Sequence, residues 1–192
     1  MLQGCSRWSS GPYSLIEEGL YIGSIEAAMS TDFIISAGIT HIVTISGSRN
    51  SFPDRCTYLN IPIADEAEAN IKEHFPEINQ FIGDAILAGG RVLVNSTVGI
   101  SRAPTAVLAY LMQRHEWSLK KALKRVRQRR LIVNPNEGFL RQLEAYELEL
   151  LYAWAARDEE DVTMSDQDTT EEDTESSTSE DVSDAGESPA RP

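Results

Sequence analysis

The chain has 192 residues, 30 of them acidic and 17 basic, for a formal charge of −13. From Asp158 to Pro192 there are 14 acids and one base, Arg191, which is the whole excess; residues 1–157 balance at 16 of each sign. The patterning excludes an all-basic nucleic-acid binder, a membrane span of roughly 20 apolar residues and an apolar signal segment at the N-terminus. Cys5 and Cys56 show neither metal nor redox spacing. The expectation is a protein of the cytoplasm and/or nucleus, with no membrane, nucleic-acid, metal or cofactor partner.

Residues 1–12 are small and polar, and a flexible N-terminus is expected there. Ser14–Ile16 and Gly19–Gly23 read as two strands joined by a turn at Glu17-Glu18. Ile25–Met29 reads as a short helix. Thr31 or Asp32 is the expected cap of a second helix running to Ala37, with Gly38 ending it. His41–Ile45 and Thr57–Ile63 read as strands, and Ala64–Ala69, with three acids among alanines, as a loop. Apolar residues at Ile71, Phe75, Ile78, Ile82 and Ala85 keep a helical period up to Leu87. Pro76 suits the first turn of that helix, and Gly89-Gly90 its end. Helices between hydrophobic strands predict an α/β fold with a mostly parallel central sheet flanked by helices.

Val92–Val94 reads as the buried central strand. It stops at Asn95-Ser96, crosses a loop containing Gly99, and enters a helical pattern from Ala106 to Met112, with Pro104 in its first turn. Strand, tight loop and helix N-terminus make an anion site, because loop N–H groups and the helix dipole converge there. Arg102 can fork two phosphate oxygens. The expected phosphate cradle is Ser96, Thr97, Val98, Gly99, Ile100, Ser101 and Arg102. Downstream, Ser118 is the expected cap of a helix from Leu119 to Arg130, and a last amphipathic helix runs to about Ala156.

The loop resembles the signature of dual-specificity protein phosphatases: His-Cys, five residues, Arg, then Ser or Thr. The turn Asn134-Pro135-Asn136-Glu137-Gly138-Phe139 also resembles that family, so the likeness spans roughly residues 13–155. It implies the cysteine-dependent phosphatase fold, and Asp65 matches the family's general acid by its order along the chain. Asn95 stands where the family has His, Ser96 where it has the nucleophilic Cys, and Ala103 where it has the hydroxyl residue. In these substitutions the chain is similar to inactive members, the pseudophosphatases of the phosphoserine/threonine/tyrosine-interacting kind.

The chemistry supports that comparison. A thiol near pKa 8.5 is readily pulled below 7 at a helix N-terminus, whereas a serine hydroxyl starts near the ~15.7 of bulk water. A gap of even ~5 units is ~7 kcal/mol, and a helix N-terminus supplies about 0.3–2 kcal/mol. A general base could rescue a serine, but His41, His74 and His115 lie outside the loop and Asn95 accepts no proton near neutrality. Asp65 is either a retained acid or one solvated acid among several. The expected function is a catalytically inactive homologue that binds phosphorylated proteins or scaffolds signalling proteins. Protein kinases or active phosphatases of the same pathway are further partner candidates. Two alternatives stay open: an active phosphatase whose Cys was exchanged for Ser as a trap, and a protein–protein scaffold with a vestigial loop.

Seven bases between Lys120 and Arg130 read as a solvated helix face or a dock for an acidic partner. The segment 158–192, rich in Asp, Glu, Ser and Thr, is expected to be a disordered acidic tail behind a domain of residues 13–157. Its hydroxyls upstream of acids resemble sites of acidophilic kinases, and the tail is expected to compete for the basic helix or the cradle.

Overall fold

The computed structural model describes residues 11–165, with side chains described through residue 157. The expectations for residues 1–10 and for the tail from 166 onward lie outside the described residues. The elements are β1 (Tyr13–Glu17), β2 (Leu20–Gly23), α1 (Ile25–Met29), α2 (Thr31–Ser36), β3 (His41–Thr44) and β4 (Thr57–Asn60). They continue with a 3₁₀ turn (Lys72–His74), α3 (Phe75–Leu87), β5 (Val92–Asn95), α4 (Arg102–His115), α5 (Leu119–Arg129) and α6 (Glu137–Ser165). The compact unit extends to Trp154.

The sheet order is β1-β2-β5-β3-β4. β1 and β2 pair antiparallel as a hairpin, while β2, β5, β3 and β4 run parallel, with Ile22 beside Val94 and Val43 beside Val94 on the other flank. The expected mostly parallel α/β sheet is therefore present. Alternation along each strand feeds two cores. Leu20, Ile22, Val43, Val92 and Val94 pack with α3, α4, α5 and α6. Ile42 and Leu93 face α1 and α2, against Ala27, Phe33 and Ile34. Burial on both faces explains why β5 is apolar throughout.

Several local expectations shift, each for a physical reason. The hairpin turn falls at Glu18-Gly19, because Gly19 supplies the positive φ of +79° that Glu17 would resist. Ser30, one residue before the expected caps, closes α2 by accepting from Phe33 N–H at 3.2 Å. β3 ends one residue early, although Ile45 N–H still bonds Asn95 O at 2.8 Å. β4 stops at Asn60 rather than Ile63, since Pro62 has no N–H for the ladder. Pro76 does stand in the first turn of α3. α4 begins at Arg102, well before Ala106. α6 begins at Glu137, so Gly138 and Phe139 lie in its first turn; Asn136 Oδ1 caps it by accepting from Phe139 N–H at 2.9 Å. α5 keeps its Ser118 cap but releases Arg130.

Candidate functional site

β5 delivers the chain to the carboxyl edge of the sheet, between two parallel neighbours, where α/β folds place their ligands. Asn95, Ser96 and Ser101 are buried at this edge. The six-residue loop from Ser96 to Ser101 then turns into α4 through Gly99, whose φ is +68°. Gly99 is required twice over: a Cβ there would stand 2.5 Å from Gly23 O, and L-residues resist that φ.

Five of the loop's six carbonyls, from Thr97 to Ser101, accept hydrogen bonds. Thr97 O accepts from Ile25 N–H at 3.2 Å, Ile100 O from Asn134 N–H at 2.9 Å, and Ser101 O from Thr105 N–H at 3.0 Å. Arg130 holds the two between: its Nε donates to Gly99 O at 2.9 Å and its Nη2 to Val98 O at 3.3 Å. Its Nη1 reaches Gly11 O at 3.0 Å and Ser14 Oγ at 3.3 Å. Five successive carbonyls thus face the scaffold. Among the described residues the N–H groups of Thr97, Val98, Ile100 and Ser101 meet no acceptor, while Gly99 N–H donates to Ser96 Oγ at 3.2 Å. A run of inward N–H groups at a helix N-terminus is an anion-binding concavity.

Arg130 is a correction to the sequence reading, which placed it on the solvated basic face of α5. It is 2% exposed, and burial lowers its pKa from the ordinary value. A guanidinium remains charged there and spans four acceptors with its planar fork. The rest of α5 keeps an exposed basic side, with Lys121 Nζ lying 4.8 Å over the Trp117 ring and Arg127 Nε bonded to Val133 O at 3.0 Å.

The other predicted site residues divide into three groups. Ser96, Thr97, Ser101, Arg102 and Asp65 come together at the rim. Arg102 Nη1 donates to Ile63 O at 2.9 Å and Nη2 to Thr97 Oγ1 at 2.8 Å. Its Nε is buried without a hydrogen-bond partner, 3.6 Å from Asp65 Oδ2. Asp65 Oδ1 accepts from Ser101 Oγ at 2.6 Å and from Asn136 Nδ2 at 2.9 Å. Val98 and Ile100 contribute backbone only, since the Val98 side chain is exposed. Asn95 and Ala103 are fully buried behind the loop, where Asn95 Oδ1 accepts from Thr44 Oγ1 at 3.0 Å.

The loop carrying Asp65 is pinned on the first turns of α6. Gln142 Nε2 donates to Ala69 O at 2.8 Å, and a Cβ on Gly138 would lie 1.9 Å from Ala67 O, so only glycine allows this approach. Sequence reading missed Asn136, Thr44 and Arg130 as supports of the site. Asn136 had a local signal, as an Asn just before a helical pattern; the other two are joined to the loop only by the fold.

No histidine supplies a base to Ser96. His41 opens β3 at the edge opposite Asn95, bonded to Thr40 Oγ1 at 2.8 Å, and burial lowers its pKa. His115 ends α4, about 20 Å along the helix from Arg102 by helical rise; it pairs with Glu17 at 2.9 Å and stacks on Trp117. His74 sits between Glu73 and Glu77 at the start of α3. Asn79, one turn further on, meets Gln113 near that same far end of α4.

A model of the dual specificity phosphatase catalytic domain matches residues 20–149. Dual specificity protein phosphatase 1 of Arabidopsis thaliana is 42% identical over 135 residues, covering 70% of this chain and 68% of that relative. Among solved structures, the human tyrosine phosphatase-like serine/threonine/tyrosine-interacting protein has a TM-score of 0.70 at 34% identity, over 72% of this chain and 97% of that one. DUSP15 has a TM-score of 0.69 at 39% identity, over 70% of this chain and 86% of its own.

Proposed function

The chain belongs to the family of dual-specificity phosphatase catalytic domains, and from that premise we propose that it binds phosphorylated proteins without hydrolysing them. The observation that carries this reading is the loop itself: five carbonyls turned to the scaffold, N–H groups left for an anion, and a serine at its first position. The guanidinium of Arg102, whose buried Nε makes no hydrogen bond and lies 3.6 Å from Asp65 Oδ2, adds positive charge at the rim for a phosphate oxygen.

The chemistry that would break the ester is what Ser96 withholds. Its hydroxyl sits ~7 kcal/mol or more from a useful nucleophile, no imidazole reaches it, and the Oδ1 of Asn95 is taken by Thr44 Oγ1. A neutral hydroxyl also spares a bound dianion the repulsion of a thiolate. Asp65 in this reading organises the rim through Ser101, Asn136 and Arg102, because without a nucleophile an acid has no leaving group to protonate. The name of the human serine/threonine/tyrosine-interacting neighbour is consistent with a binding role for this chain.

Fluorescence polarisation with labelled phosphotyrosine and phosphothreonine peptides tests it. The expected result is binding that needs the phosphate and is lost in Arg102→Ala. Equal affinity for unmodified peptides would overturn it and leave a scaffold with a vestigial loop. Steady release of phosphate by the purified protein would overturn the inactive reading in favour of an enzyme.

A further inference from the structure

A cavity of about 130 Å³ opens beside the cradle, between α1 and the β3–β4 connection. It shares the carboxyl edge of the sheet with the loop: Thr44 and Asn95, the last residues of β3 and β5, form its inner end. α1 joins the two sites directly, since Ile25 lines the cavity while its N–H bonds Thr97 O of the loop. A peptide whose phosphate enters the cradle therefore passes the cavity with a neighbouring side chain.

The lining has a definite chemistry. One wall, Ile25, Ala28 and Met29, is apolar. Opposite it stand the exposed Arg49 and the hydroxyl of Tyr58, and no carboxylate is among the lining residues. Tyr58 Oη accepts from Phe52 N–H at 3.0 Å, and burial pushes its pKa up, so it keeps its proton as a donor. At the inner end Asn95 is completely buried, and its Nδ2 has no partner among the described residues. An unsatisfied buried amide is unfavourable, and an incoming acceptor relieves it. An apolar wall with convergent donors is the usual make-up of a selective side-chain pocket.

We propose that this cavity is a specificity subsite that takes the carboxylate of an acidic residue flanking the phosphorylated one. The methylene stem lies on Ile25 and Met29, and the carboxylate oxygens meet Arg49, Tyr58 and the Asn95 amide. Asn95 acquires a role here that its replacement of a histidine in the family pattern does not explain: it removes a group from phosphate chemistry and presents an amide to the neighbouring pocket.

The proposal rests on the phosphate-reading role, so its test separates the two. Phosphopeptides in an alanine background, with one Glu moved through the three positions on either side, are titrated into the full chain. At one position Glu should bind about five- to tenfold tighter than Ala, the scale of a half-exposed charge-assisted hydrogen bond. That ratio should fall to about one in Arg49→Ala and persist in Arg55→Ala, an exposed charge on the same connection outside the cavity. No preference at any position, or a preference that survives Arg49→Ala, overturns the subsite. If no peptide binds through its phosphate, the cradle reading fails, and glutarate titrated into the ¹⁵N-labelled protein judges the cavity alone. Shifts of the Asn95 side-chain amide and Arg49 guanidinium signals support it, and their absence overturns it.

Discussion

Two arginines hold the same loop from opposite sides, and they differ in almost every other respect. Arg102 stands at the rim, in the first turn of α4, with Nη1 on Ile63 O, Nη2 on Thr97 Oγ1 and a buried Nε 3.6 Å from Asp65 Oδ2. Arg130 lies behind the loop, buried, with its guanidinium bonded to Val98, Gly99, Gly11 and Ser14. One guanidinium faces where a ligand would sit, and the other fixes the backbone that would receive it. The proposed phosphate cradle would thus divide its labour, with ligand contact and loop geometry assigned to separate cations.

The division predicts different failures. Arg130→Met strips donors from three carbonyls, one buried and two partly buried, and at about 1 kcal/mol each the variant should lose about 3 kcal/mol of stability in urea unfolding. Arg130→Lys should recover part of this, because one ammonium cannot span the same acceptors. Arg102→Ala should leave the unfolding midpoint close to wild type yet weaken phosphopeptide binding roughly a hundredfold, about 2.7 kcal/mol. If the two variants exchanged these signatures, the division would be wrong.

Smaller effects sharpen the same contrast. Gly99→Ala meets both the left-handed backbone and Gly23 O at 2.5 Å, and a loss of about 2 kcal/mol should appear in thermal melts. Asn136→Ala removes the cap of α6 and one of the two hydrogen bonds to Asp65. It should cost about 1 kcal/mol in the same melts.

Arg102 was legible in the sequence and Arg130 was not, for a physical reason. Everything that marks Arg102 as a candidate cradle residue lies within ten residues: an apolar strand, a glycine that can take positive φ, and a helix with Pro104 in its first turn. The anion-site geometry follows from that local order. Arg130 acts on Gly99, 31 residues away, and on Gly11, 119 residues away. Its local context, six other bases from Lys120 to Arg129, points to solvent; only the end of α5 at Arg129 turns it inward. The sheet was readable for the same reason as Arg102, because alternation and apolar runs are short-range signals. Its edges were less so. β4 stops at Asn60, short of Pro62, and the hairpin turn falls at Glu18-Gly19. Asp65 lies between the extremes: its order along the chain marked it, but its bonds to Ser101 and Asn136 come from tertiary packing.

The central claim, phosphate bound but not cleaved, is tested most directly by ³¹P NMR of a phosphopeptide mixed with the purified full chain. The account predicts that the phosphorus resonance shifts or broadens on addition of the protein while no inorganic phosphate signal grows with time. An unperturbed resonance would contradict the binding, and a growing inorganic phosphate signal would contradict the silence of Ser96.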